Sequence, residues 1–127
     1  MAYIGKIDTI QFRGIFKIET DEVIITDEQV NHIKNNHPGD YERCAMYFPS
    51  ILSEPDYIVE ANKPNSVVLL KQTTDGTRYF HMVLRIKTSN DPLNYKNSII
   101  TFMEINGRRY NRYLNKKRVL YMREQPC

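Results

Sequence analysis

Arg78-Tyr79-Phe80-His81-Met82-Val83-Leu84-Arg85-Ile86-Lys87 alternates without interruption. On an extended chain, successive side chains point to opposite faces. Phe80, Met82, Leu84 and Ile86 therefore share one face, and Tyr79, His81, Val83, Arg85 and Lys87 the other. A period of two over this length predicts a half-buried strand. Just upstream, Thr74-Asp75-Gly76-Thr77 has the composition of a hairpin turn, and Val67 to Gln72 supplies a partner strand. Tyr57-Ile58-Val59-Glu60, Ser98 to Ile105 and Val119 to Met122 read the same way, with Ser89 to Lys96 as a loop. Residues 57–122 thus predict an antiparallel sheet of four or five strands.

Toward the N-terminus the period changes. Thr26-Asp27-Glu28-Gln29 is a capping box, a hydroxyl for the first free amides with a Gln three residues on to reciprocate. Val30 and Ile33 form an apolar stripe, and Asn35-Asn36-His37-Pro38-Gly39 ends the helix. Asp40 opens a second helix carrying Cys44, Tyr47, Phe48, Ile51 and Leu52 at helical spacing, with a kink or break expected at Pro49. The two helices should span about 27–37 and 41–53. Tyr3 to Ile7, Ile10 to Phe12, Ile15 to Ile18 and Val23 to Ile25 read as a strand or hairpin within residues 1–25. Asn106-Gly107 suggests a tight turn, and Arg108 to Lys117 a short helix or a basic loop. Two helices preceding a meander make an α+β domain that takes in residues 1–127.

The 127 residues are 41% hydrophobic and 26% charged, with 5 Gly and 6 Pro, which excludes collagen, low complexity and a disulfide scaffold. No run of apolar residues is long enough to span a membrane. Met1 to Lys6 lacks the basic-then-apolar pattern of a secretory signal, so a cytoplasmic protein is expected, with Cys44 and Cys127 as reduced thiols. Charge is unevenly distributed. Residues 1–63 hold 6 Lys/Arg against 11 Asp/Glu, whereas residues 64–127 hold 12 against 4. A basic half of this kind attracts phosphate polymers, unless the two halves pack together and neutralise one another.

Three groups of residues suit chemistry. His32 and His37 lie on the first helix but roughly 140° apart, so they are not the paired ligands of a zinc helix, and no metal site is expected. Either imidazole suits acid–base work near neutral pH, or simply helix packing and termination. His81 and Arg85 share a strand face about 13 Å apart, which Lys71 and Thr101 could join. Cations there suit a pentacovalent phosphorane, and a solvated sheet face accounts for them equally well. Arg108-Arg109-Tyr110-Asn111-Arg112-Tyr113-Leu114-Asn115-Lys116-Lys117-Arg118 has six cations, no acid and two tyrosines. It suits a phosphate backbone with base stacking, or a solvated basic helix. No phosphate-binding Gly loop or nucleophile elbow is present, so no cofactor is expected.

The run Val23 to Pro38 resembles the opening of the phage-associated barnase/EndoU/colicin/RelE-like (BECR-fold) nucleases: a strand ending in Thr-Asp, a helix with His-Ile, and a terminal His-Pro. Glu54-Pro55-Asp56-Tyr57-Ile58 and Ser98-Ile99-Ile100-Thr101-Phe102 are similar to later family elements in the right order. The resemblance implies a metal-independent endoribonuclease of phage, mobile-element or toxin type, acting on RNA such as tRNA through the 2′-hydroxyl. An acidic immunity or antitoxin protein is the implied partner. His32 matches the helix histidine, Thr101 the late hydroxyl and His37 the His-Pro element, while Lys71 and Arg85 fall on strands where such enzymes place cations. His81, Arg108, Arg109, Arg112, Lys116, Lys117, Tyr110 and Tyr113 are the expected substrate contacts. Asn36 departs from the Arg common before the second histidine. The alternative is a non-catalytic nucleic-acid- or protein-binding module on a degraded nuclease fold.

Overall fold

A computed structural model describes residues 1–123, so Cys127 lies outside the described residues. The strands are β1 (Ala2–Lys6), β2 (Glu22–Ile25), β3 (Tyr57–Glu60), β4 (Ser66–Gln72), β5 (Tyr79–Arg85), β6 (Asn97–Ile105) and β7 (Val119–Met122). The α-helices are α1 (Asp27–Asn36), α2 (Asp40–Cys44), α3 (Phe48–Ser53) and α4 (Gly107–Lys116). The fold is α+β, but the sheet is larger than four or five antiparallel strands. It has seven strands in the order β1-β2-β6-β5-β4-β3-β7. All pairs are antiparallel except β2–β6, which run parallel through Val23↔Asn97 and Ile24↔Ser98. The N-terminal hairpin thus joins the sheet through a partner far along the chain. Of the strand-like pieces between its arms, Thr9–Phe12 is a 3₁₀ turn and Ile15–Ile18 is irregular.

Local chemistry sets the helix ends. The Thr26 hydroxyl accepts the Gln29 amide at 3.1 Å, and Asp27 and Glu28 occupy the first turn of α1. His37 closes α1, its N–H donating to the Ile33 carbonyl. Gly39 then takes the left-handed conformation (φ 85°) that turns the chain into α2. The second predicted helix breaks into α2, a 3₁₀ turn at Ala45–Tyr47, and α3, with Pro49 accommodated in the first turn of α3. Asn106 caps α4 rather than making a tight turn: its side-chain oxygen accepts the Arg109 amide at 2.8 Å.

The two sheet faces are unequal. Helices α1, α2 and α3 cover one, where Phe80, Met82, Leu84 and Ile86 pack against Ile33, Cys44, Phe48, Ile51 and Leu52. That is the register the alternation of β5 predicts. The Phe102 ring lies 4.7 Å from that of Phe48 and 5.8 Å from that of Phe80. Cys44 is buried and free, and burial pushes its thiol up to about 11, as suits an inert reduced cysteine. Among the described residues, α4 is the helix on the other face, seated by Tyr110 on Val59, Val68, Leu70, Met103 and Ile105. Among the described residues, no helix is long and apolar enough to cross a membrane.

Candidate active site

A one-residue irregularity in β6 shapes the site. Pairing with β5 runs regularly from Tyr79↔Ile105 to Val83↔Thr101, but the next pair is Leu84↔Ile99, so Ile100 faces no partner. Ile99 and Phe102 belong to the core under α1–α3, whereas Met103 and Ile105 belong to the cluster under α4. The bulge therefore puts Ile100 and Thr101 both on the α4 side, and both line a groove there. Bulges re-aim side chains in this way.

That groove, of about 340 Å³, runs between α1 and α4. His32 reaches it from α1, His81 and Thr101 form part of its floor, and Tyr113 and Lys117 come from α4 and its end. Residues separated in sequence by up to 85 positions are thus brought together. The His81 ring lies against that of Tyr113, centroids 4.7 Å apart. His81 is only 4% exposed, and its Nδ1 has no hydrogen-bond partner. Burial first, then the Arg109 cation and His37, hold its pKa at about 4. The imidazole is therefore neutral in the empty groove at pH 7. On α1, the Asn36 amide nitrogen lies 3.0 Å from Nε2 and 3.2 Å from Nδ1 of His32, astride the ring edge. Asn36, in place of the Arg that the resemblance led one to expect, thus meets the His32 ring.

Cations flank the groove. Arg109, Arg112, Lys116 and Lys117 surround Tyr113 in an adjoining depression, and Arg108 is exposed nearby on α4. Tyr110 does not join them. It is 5% exposed and packs against Tyr57 and Tyr79, with burial pushing its phenol well above the usual range. Its expected contact with substrate is corrected to a core anchor, because in α4 the apolar stripe takes precedence over the aromatic's stacking capacity.

Two further expectations are corrected. Lys71 pairs opposite Phe80, and His81 opposite Leu70. Lys71 therefore lies on the face of α1–α3, away from the groove, with its ammonium donating to the Glu54 carbonyl at 2.6 Å. Arg85 shares the His81 face by alternation, but its guanidinium is held by both carboxylate oxygens of Asp91 at 2.9 and 3.0 Å. Neither lines the groove. Conversely, Asn62 and Lys63 line its rim from the β3–β4 loop, where no periodicity marks them.

Among the described residues, no three His, Cys, Asp or Glu side chains gather as a metal would require. The groove instead offers imidazoles, a hydroxyl, a phenol and cations. That set can move protons and hold a phosphate. One family model, the phage-Barnase-EndoU-ColicinE5/D-RelE like nuclease2 family, matches residues 4–122. No curated protein and no solved structure matches the chain.

Proposed function

The chain belongs to this phage-type nuclease family, and from that premise we propose that it is an endoribonuclease, needing no metal, that cleaves through attack of a ribose 2′-hydroxyl on the adjacent phosphorus. His32 takes the hydroxyl proton, the role of a general base for which an imidazole is chemically suited. Thr101 donates its hydroxyl to a non-bridging oxygen. Arg109 and Lys117 stabilise the charge that grows on the phosphorane, and Arg112 and Lys116 hold the flanking backbone. Tyr113 offers a ring edge to a base. Lys71 and Arg85, engaged elsewhere, have no part in this scheme. The proton for the leaving oxygen must come from a second acid.

The observation that carries this reading is the meeting of His32, Thr101, His81, Tyr113 and Lys117 in one groove. The test is to incubate the purified chain with total tRNA and, in parallel, a DNA oligonucleotide, both with EDTA. RNA fragments ending in 2′,3′-cyclic phosphate, with DNA intact and His32→Ala inactive, are the expected result. Equal cleavage of DNA removes the 2′-hydroxyl from the mechanism. No cleavage at all replaces the reading with the binding module on a nuclease fold.

A further inference from the structure

We propose that His81 is a second catalytic group of this groove, an imidazole that takes up a proton as an anionic phosphodiester enters and passes it to the leaving 5′-oxygen. The proposal rests on the endoribonuclease reading and extends it by naming the acid.

Packing alone explains the His81 ring on Tyr113, but not its nitrogen. Nδ1 is buried without a partner. A buried polar atom left unpaired calls for an explanation, and a catalytic role is one that fits a ring lining a groove. The ring also lines the groove, as His32 does from α1, and with Nδ1 shut away it is Nε2 that can exchange a proton there. A phosphate bound in this groove therefore meets two imidazoles, the number that the attacking and departing oxygens require.

The surroundings explain why the proton arrives with the substrate. Burial first, then Arg109 and His37, disfavour charge on His81, and Lys117 and Lys63 add positive charge at the rim. The acid that lines the groove is Glu60, exposed and accepting the Arg118 amide. Burial and these cations together keep the ring neutral in an empty groove. A phosphodiester monoanion offsets the cations and is itself a negative charge beside the ring, so its entry raises the affinity of His81 for a proton.

The step balances. The 2′-oxygen forms its bond to phosphorus and gives its proton to His32. The bond from phosphorus to the 5′-oxygen breaks, its electron pair goes to that oxygen, and the His81 proton follows. The products are a 2′,3′-cyclic phosphate and a 5′-hydroxyl. His32 then loses its proton to water and His81 regains one from water.

Two measurements test this. In histidine-labelled protein, the His81 ring resonances are followed from pH 3.5 to 8, free and saturated with a fully 2′-O-methylated oligoribonucleotide, which cannot be cleaved. The titration midpoint should rise by about two pH units on binding; an unmoved midpoint, or no binding, overturns the proposal. Second, His81→Gln is assayed on RNA and on uridine 3′-(p-nitrophenyl phosphate), whose leaving group needs no proton. The loss should be about 10²–10⁴-fold on RNA and small on the activated ester. Equal losses on both substrates make His81 structural, and a selective loss in His37→Gln instead transfers the role to His37. If wild type cleaves neither substrate, the endoribonuclease reading fails, and with it the transfer step, whatever the resonance midpoint shows.

Discussion

The Arg85 guanidinium grips both carboxylate oxygens of Asp91, and one of those oxygens also accepts the Thr88 backbone amide at 2.8 Å. The pair ties the end of β5 to the loop after it. Arg85, with the Thr88 amide, holds the Asp91 pKa at about 2, so the clasp persists throughout the range in which a nuclease works. It needs Asp91 ionised, so it is intact above the ordinary carboxylate pKa and weakens only as pH falls toward 2.

Asp91→Asn and Arg85→Ala should both speed amide exchange at Thr88 while RNA cleavage stays at the wild-type rate. Hydrogen exchange and initial rates check this. A fall in rate of about 10²-fold in Arg85→Ala would return that residue to the phosphate.

Phe102→Ala should destabilise the chain by about 3–5 kcal/mol, read from urea unfolding midpoints. The ring is fully buried between Phe48 and Phe80 at the junction of β6, β5 and α3. No single neighbour can close that space. A cost near zero would show that α3 does not pack on β6.

Replacing Arg109, Arg112 and Lys116 together with Gln should flatten the dependence of log affinity on log salt by about 2 units for single-stranded RNA. These cations are exposed on α4, so the fold should survive the change. An unchanged slope would mean that the cationic helix serves an acidic protein partner instead of RNA.

Acid should destabilise the chain through His81. Its folded pKa, about 4, lies below the unfolded value, so the unfolded chain binds the extra proton. The stability this neutral ring supplies is present above about pH 6.5 and is lost as pH falls toward 4, by about 3 kcal/mol. His81→Phe should lose that slope between pH 6.5 and 4. A mutant with the same acid slope as wild type would assign it to other groups.

Much of the fold is legible in the amino-acid order because it rests on local signals. The Phe80/Met82/Leu84 alternation, the Thr26 cap and the break near Pro49 each act within a few residues. What is illegible depends on partners far along the chain. Nothing near Val23 announces that it pairs with Asn97, so the parallel contact and the full sheet width are hidden. The candidate site divides in the same way. His32, His81, Thr101, Tyr113 and Lys117 are chemical types that stand out, and they do converge. Lys71 stands out equally, but the β4–β5 register, fixed by the turn at Gly76, pairs it with Phe80 and so turns it to the far face. The commitment of Arg85 to Asp91 is likewise a matter of loop shape.

Ile100 is distinguished by number rather than by chemistry. Were it deleted, Ile99, Thr101 and Phe102 would alternate regularly, each on the face it already holds, with Thr101 still opposite Val83 and Phe102 opposite Met82. What would vanish is one hydrocarbon side chain in the groove and the local twist that a spare residue brings. An engineer can therefore shorten β6 at position 100 and keep the hydroxyl in place, whereas removing either neighbour sacrifices Ile99 or Thr101 itself.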